Sequence, residues 1–420
     1  MKKPEILSPA GDLERLKVAL AYGADAVYIG GKTLSMRAKA KNFSEAEMEE
    51  GIFYAHSLGR RVYVALNICA HNDDFKKLDE YLLWLEEIKA DALLISDPGV
   101  FLQAKKTVPK MEIHISTQAN IANYNTAKFW HDLGAKRAVL ARELSIGEIR
   151  EIHEKAPDIE IETFVHGAMC MAYSGRCLIS NFLNARDANR GECSQPCRFS
   201  YALVEEKSGE IFPVTESSHG TFLFNSKDLC MVNRIPDLAT AGITSLKIEG
   251  RMKTEYYVGA TTKLYREAID DYFQSPSLYA EKLPHYQREA EKIGNRGYTT
   301  GFFYGKPTGA DHDYKGEYQA ASQDFLAIIQ DYNPDTRLCK IEQRNKFSVG
   351  DKVEILRANA PNFCQAITEI YDEAHNKLNS APHPKQSLFI KLDYPVAKYD
   401  MIRKGENLTP YPSCPPSALH

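Results

Sequence analysis

The sequence predicts an α/β protein: a (β/α)8 TIM-like barrel with a Cys-rich insertion near strand seven, followed by a small C-terminal all-β barrel. Three observations predict it. Over the first 275 residues, short and wholly apolar runs alternate with amphipathic stretches of roughly 10–15 residues, the pattern of parallel βα units. One junction recurs ahead of buried runs, as Gly23-Ala24-Asp25, Lys89-Ala90-Asp91, Gly134-Ala135-Lys136 and Gly242-Ile243-Thr244, and reads as a helix end turning into a strand. From about residue 322 the period shortens to strands separated by turn signals.

Taken in order, Ile6-Leu7 opens the first strand and runs into Ser8-Pro9-Ala10-Gly11, and Leu13 to Tyr22 carries helical spacing. Strand two is 26–31, a helix covers 44–57, and strand three is 62–66. A helix over 74–88 leads to strand four at 93–96. The remaining strands are 112–116, 138–141, 159–165 and 245–249, which makes eight and fits a barrel of ordinary size. A doubly wound sheet is the alternative, but no G-x-G-x-x-G follows the first strand. The expected domains are a barrel over 1–275 with a Cys-rich segment at 167–230, then a linker and helix over 276–321. The small β-barrel spans 322–408, with strands at 325–330, 338–342, 351–356, 366–370, 388–392 and 400–403, and 409–420 is a Pro-rich tail.

Composition narrows the function classes. With 44% hydrophobic and 26% charged residues in 420, the chain is that of a globular protein, not a disordered or fibrous one. Its 56 acids against 52 bases leave a net charge of −4, so nucleic acid can be bound only through a local basic patch. Lys2 and Lys3 are not followed by the apolar stretch of a signal peptide, and no run is long enough to span a membrane. The expected compartment is the cytoplasm. Five of nine cysteines fall between 170 and 230, and in a reducing compartment such a cluster reads as a metal or redox site.

Chemistry in a barrel belongs at the C-terminal ends of the strands, and those positions are polar here: Asn67, Asp97, Gln118, Arg142, His166 and Glu249. Period two puts Glu162, Phe164 and His166 on one face, making Glu162 and His166 candidate acid–base groups, or else a pair that orders the strand end. Cys170-x6-Cys177, Cys193-x3-Cys197 and Cys230 supply soft thiolates, and their spacing suits an iron–sulfur cluster and zinc equally. The arrangement Cys-x3-Cys-x2-Cys is missed because position 200 is Ser200. Basic residues gather near the same rim: Lys32, Arg37, Lys39 and Lys41, then Arg176, Arg186, Arg190 and Arg198, then Lys247, Arg251 and Lys253. Together they read as an anion-binding rim, though any single lysine is ordinarily a solvated charge. Peptidase motifs are missing. Pro157 stands where the second histidine after His153-Glu154 would be, and there is no G-x-S-x-G.

The run from Glu162 through Phe164-Val165-His166-Gly167-Ala168-Met169-Cys170 resembles the signature of the collagenase-like peptidases of unassigned mechanism. Nearly the whole chain shares the likeness, including Ser8-Pro9-Ala10-Gly11, Ser174-Gly175-Arg176-Cys177, Asn225-Ser226-Lys227-Asp228-Leu229-Cys230 and Lys247-Ile248-Glu249-Gly250-Arg251. The family includes hydroxylases that work without oxygen on tRNA uridine, on ribosomal-RNA cytidine and in a ubiquinone pathway. With its C-terminal β domain, this chain is most similar to the tRNA-directed members. The resemblance therefore implies hydroxylation of wobble uridine to 5-hydroxyuridine, with prephenate as hydroxyl donor and a [4Fe–4S] cluster. A peptidase or an rRNA cytidine hydroxylase is the alternative. It further implies cluster ligation by Cys170, Cys177 and Cys193 with Cys230 or Cys197 as the fourth, acid–base work by Glu162 and His166, and substrate contacts from Arg37, Arg176, Lys247, Glu249 and Arg251. The expected partners are the tRNA anticodon region, prephenate and a paralogous chain, with no membrane.

Overall fold

The eight apolar runs pair into one closed parallel barrel. The computed structural model describes residues 2–32, 34–36, 42–170, 172–198, 202–204, 207–209, 211–213, 226–308, 311 and 324–405, in two units, Met1–Ala320 and Ala321–His420. The first unit runs β1 (Glu5–Pro9), α1 (Leu13–Ala21), β2 (Ala26–Gly30), α2 (Glu45–Ser57), β3 (Arg61–Leu66), α3 (Leu78–Glu87), β4 (Ala92–Ile95) and α4 (Pro98–Thr107). It continues through β5 (Glu112–Ile115), α5 (Tyr124–Asp132), β6 (Arg137–Val139), α6 (Ile146–Lys155) and β7 (Glu160–Gly167). After β7 come α7 (Ile179–Asn184), a hairpin of β8 (Ala202–Val204) and β9 (Ile211–Pro213), β10 (Asp228–Cys230), α8 (Ile235–Thr240) and β11 (Ser245–Ile248). β11 pairs in parallel with both β1 and β7, which closes the ring. β10 joins β7 from outside the ring, antiparallel.

The helices start where the sequence carries caps. Ser44 with Glu47 and Ser145 with Glu148 form capping boxes, and Asp97 caps α4 by accepting from the N–H of Gly99 and Val100. Asp97 is thus a helix cap, although it stands at a strand end. The recurring junction has one geometry throughout: Gly23, Lys89, Gly134 and Gly242 have φ of 98°, 61°, 95° and 77°. Three are glycines because the left-handed region is costly for a side chain, and Lys89 adopts it regardless. In two of these junctions the next aspartate does the same work, Asp25 accepting from Ile6 N at 2.9 Å and Asp91 from Val62 N at 2.7 Å.

The helix expected within 276–321 is α10 (Pro276–Glu291), which packs on α9 (Glu255–Gln274). Lys282 Nζ reaches Asp271 at 3.0 Å, and Tyr279 meets Tyr272 edge-on at 5.8 Å. Segment 276–291 therefore belongs to the barrel unit. β12 (Tyr298–Thr299) pairs with β10.

The second unit holds β13 (Phe325–Asn333), β14 (Leu338–Gln343), β15 (Phe347–Ser348), β16 (Lys352–Leu356), β17 (Phe363–Ala366), β18 (Ile370–Tyr371), β19 (Lys377–Leu378), β20 (Ser380–Ala381), β21 (Ser387–Lys391) and β22 (Met401–Lys404). Eight of these make one antiparallel sheet in the order β17-β16-β22-β13-β14-β21-β18-β19, around a core that includes Ile329, Ile341, Val353, Leu388 and Ile390. The edges β17 and β19 do not pair with each other among the described residues, so the small all-β domain expected from the sequence is a half-barrel. The strand expected over 366–370 is split between β17 and β18, which lie far apart in the sheet. Arg403, fully buried, holds Glu354 through two hydrogen bonds of 3.0 and 2.8 Å.

Candidate functional site

The barrel interior carries an unusual amount of charge for a core, and the alternation of the strands puts it there. At the N-terminal end Arg137 of β6 donates to Glu5 at 2.7 Å, to Glu160 at 2.8 and 3.0 Å, and to Glu162 at 3.1 Å. Tyr63 donates to Glu5 at 2.8 Å, and Ser245 donates to the same carboxylate at 3.0 Å. His114 packs edge-on to Tyr63 at 4.7 Å with its Nε2 3.7 Å from Glu112, and burial lowers its pKa against the pull of that carboxylate. One layer up, Lys247 donates to Glu162 at 2.7 Å. Burial pushes the Glu162 carboxyl up, but Lys247 and Arg137 outweigh it and hold the pKa down to about 2. Burial also draws the Lys247 pKa below its ordinary value, against the pull of Glu162. The 2.7 Å contact with an ionised carboxylate favours the charged ammonium. Glu162 is thus a fixed anion at neutral pH, with both oxygens engaged.

The single face expected for Glu162, Phe164 and His166 does not form. Lys247 pairs with Phe164 but Ile248 pairs with His166, so Val165 is an extra residue and the strand bulges. Beyond a bulge the inside–outside alternation is reset. The His166 ring lies among Tyr257, Tyr265 and Tyr298, at 5.9, 5.6 and 5.5 Å between centroids, away from Glu162. The Val165 carbonyl accepts from Tyr265 Oη at 2.6 Å and from Met231 N at 3.0 Å, which fixes the bulge. Burial, with Lys253 adding to it, lowers the His166 pKa to about 3. Cys230, opposite His166 in the antiparallel pair, is half-buried, and burial raises its thiol to about 11 against hydrogen bonds from Val232 N and with Tyr265. Gly167, at φ 105°, follows because a Cβ there would meet the Glu249 carbonyl and Tyr257 Oη, both at 2.8 Å.

At the C-terminal mouth the polar side chains converge in two groups. Asn67 accepts from Met36 N at 3.1 Å and donates to Ser116 at 3.2 Å and Gln118 at 3.3 Å. Arg251, buried, donates to Ser35 at 2.8 Å and to the Met36 carbonyl, and the space beside Gly30 is filled by this guanidinium and Ser35. Arg142 lies with its guanidinium 4.0 Å from the centroid of the Phe164 ring. On the other side Lys247 Nζ is 5.4 Å from the same ring and 4.7 Å from that of Tyr28. Arg176 is exposed, Glu249 uses its backbone to hold His166 and Tyr257, and Arg37, Lys39 and Lys41 lie outside the described residues. Among sequence candidates, then, the structure brings Lys247 to Glu162 and Arg251 to Ser35, and leaves His166 elsewhere. Arg142 was visible only as one polar strand-end residue. The signal that finds the charged floor is a cation inside an otherwise apolar strand, as at Arg137 and Lys247.

The segment after β7 folds over this mouth. Arg190 clamps Asp74 with bonds of 2.9 and 3.1 Å and reaches the Cys69 carbonyl at 3.1 Å, while a Cβ at Gly175 would meet Gln118 at 3.0 Å. Arg186 donates to the Glu192 carbonyl at 2.9 Å, so Arg186 and Arg190 are structural ties. Cys170 is exposed, Cys177, Cys193 and Cys197 are half-buried, and none is in a disulfide. The Cys193 sulfur accepts from Gln195 N at 3.4 Å. In kind these donors fit an iron–sulfur cluster, being free thiols on one segment at the barrel mouth. Among the described residues no three His, Cys, Asp or Glu side chains are drawn to a common point for a metal ion.

Comparison with known proteins accords with this architecture. The description "Peptidase family U32" matches residues 11–313, and "Peptidase family U32 C-terminal domain" matches 321–403. The chain is 41% identical over 406 residues to tRNA hydroxylation protein P1 of Bacillus subtilis, covering 96% of each chain. It is 38% identical to tRNA hydroxylation protein P of Escherichia coli, covering 85% of this chain and 86% of the relative. It is 40% identical over 266 residues to the 23S rRNA 5-hydroxycytidine C2501 synthase of Escherichia coli, covering 63% of this chain and 39% of the relative. This chain belongs to peptidase family U32.

Proposed function

We propose that this protein is an RNA hydroxylase, and that it converts the wobble uridine of tRNA to 5-hydroxyuridine without oxygen, with prephenate as the hydroxyl source. The observation that carries the reading is end-to-end likeness to a tRNA hydroxylation protein, 96% of each chain. The rRNA cytidine reading is second because the match to the ribosomal enzyme takes in only 39% of that relative. Prephenate is a cyclic dicarboxylate, and the mouth offers what such a molecule needs: the cations Arg142 and Lys247 beside the rings of Phe164 and Tyr28. A wobble base sits in a single-stranded loop, so it can enter a barrel mouth without the cost of breaking a pair. Exposed Arg176 and the exposed aromatic rings Tyr173 and Phe182 lie on the segment over the mouth, where a loop would arrive.

Cys170, Cys177 and Cys193 would hold the [4Fe–4S] cluster, with Cys197 or Cys230 as fourth ligand. When bound, such a cluster supplies an iron that can polarise a donor oxygen. This chain's residues hold and orient. Glu162 keeps Lys247 in place at 2.7 Å, Arg251 fixes Ser35 at the rim, and Arg190 ties the Cys-rich segment down over the mouth to exclude water. Glu162 and His166 act by positioning, one beneath Lys247 and the other behind the bulge opposite Cys230.

The test is nucleoside mass spectrometry of RNA from anaerobically grown cells with and without the gene. Loss of 5-hydroxyuridine and its derivatives from tRNA, restored by wild type but not by Cys177→Ala, is the expected result. Intact tRNA with loss of 5-hydroxycytidine from rRNA would favour the second reading. Intact RNA together with cleavage of denatured collagen by the purified protein would overturn both.

A further inference from the structure

The Arg142 guanidinium is held by two contacts and keeps one edge without a partner. Its face stacks on Phe164 at 4.0 Å, and Nη1 donates to the Ala168 carbonyl at 2.8 Å. Nε is buried and has no hydrogen-bond partner. Nε and Nη2 form the side-on fork of a guanidinium, the edge that matches the two oxygens of a carboxylate. No carboxylate lies within ion-pair distance of Arg142 among the described residues, whereas Arg137 and Lys247 in the same barrel each have one. A buried N–H left unpaired costs free energy unless something else completes it.

We propose that the Nε–Nη2 edge of Arg142 binds one carboxylate of a small cyclic organic acid, whose ring lies in the mouth beside Phe164. The assignment rests on the hydroxylase reading only for the identity of that acid as prephenate. Nε is buried and Phe164 is only 7% exposed, so the edge is recessed, a position that a small acid enters more readily than an RNA backbone. Phe164 fixes the plane of the guanidinium and Ala168 fixes its rotation, so the fork is set in advance of binding. The other arginines are less suited. Arg251 donates to Ser35 and Met36, and Arg176 stands exposed on the covering segment. Lys247, 5.4 Å from Phe164, is committed to Glu162 at 2.7 Å and adds positive charge beneath the same ring.

The experiment is titration calorimetry of the full-length protein, purified anaerobically, with prephenate, with phenylpyruvate (which lacks the ring carboxylate) and with inorganic phosphate. The same titrations are made on Arg142→Lys, Arg142→Met and Arg176→Met, with tRNA affinity and melting temperature measured alongside. Wild type is expected to bind prephenate, Arg142→Met to bind it at least tenfold more weakly, and Arg142→Lys to fall between, because charge remains and the fork is lost. Added methylguanidinium should restore binding to Arg142→Met, a rescue that a merely structural role would not give. Arg176→Met should bind the acid as wild type does, and tRNA affinity should be unchanged in both Arg142 variants. Equal prephenate affinity in wild type and Arg142→Lys, with no response to methylguanidinium, would overturn the assignment and leave the hydroxylase reading intact. Lower tRNA affinity with unchanged acid affinity would overturn it in favour of a phosphate contact. Binding of phenylpyruvate but not prephenate, lost in the Arg142 variants, would uphold the carboxylate site and sink prephenate as the donor. Binding of none of the three probes would overturn it outright.

Discussion

Lys247 of β11 donates a 2.7 Å hydrogen bond to Glu162 of β7, across the seam at which the barrel closes, and both side chains are sealed from solvent. The bond ties the last strand of the ring to the seventh at a point where the backbone register is about to shift. It also delivers a cation to the aromatic floor of the mouth. Structure and proposed chemistry therefore share one ion pair, and its removal should be felt in both.

Glu162→Gln should destabilise the barrel by roughly 3–5 kcal/mol, since Arg137 and Lys247 would keep their charges in a dry interior without their carboxylate. Glu162→Gln combined with Lys247→Met should be less destabilised than the sum of the single variants, because the orphaned cation is removed with its anion. Urea unfolding of the three proteins measures this. Strict additivity would show that the pair is not coupled.

Acid should weaken the protein in a defined window. The Glu162 carboxyl is held at about 2 in the folded chain against an ordinary 4.5, so its contribution is present above 4.5 and is lost as pH falls toward 2. His114, buried and neutral, has a folded pKa below 6.5, so protonation favours the unfolded chain and stability also falls below that pH. Denaturant midpoints between pH 7 and pH 3 should decline throughout. In Lys247→Met the part below 4.5 should be shallower, since one of the two cations that depress Glu162 is gone.

At the helix-to-strand junctions, Lys89→Gly should be neutral or stabilising by up to about 1 kcal/mol, because Lys89 sits at φ 61° where glycine is at no disadvantage. Gly134→Ala should cost about 1 kcal/mol or more, with φ at 95°. Melting temperatures should therefore move in opposite directions for two substitutions at equivalent positions.

Cys177→Ala should lose bound iron and acid-labile sulfide while keeping the far-ultraviolet circular dichroism of wild type, because the segment covers the mouth and contributes no strand to the ring. Iron and sulfide assays on anaerobically purified protein decide it. Full retention of both would remove Cys177 from the ligand set.

Much of the barrel could be read along the chain. The eight strands, the four junctions and the caps at Ser44, Asp97 and Ser145 depend on residues within a few positions of one another, and local rules suffice for them. The site was less legible. The face shared by Glu162, Phe164 and His166 follows from period two only if no residue is inserted, and nothing near Val165 in sequence announces the bulge. Its causes are Met231 after β10 and Tyr265 on α9, both remote in the chain.

The sequence by itself determined the order and placement of the barrel strands, the concentration of thiols after β7 and the cations near the mouth, since these are matters of composition and local period. Only the tertiary structure decided which charges meet. It put Glu162 under Lys247 and Arg137, turned His166 out among three tyrosines, left the C-terminal sheet open at its edges, and left Nε of Arg142 buried without a hydrogen-bond partner. The physical reason is that burial and pairing are set by neighbours distant in sequence, and a side chain's charge state follows from them.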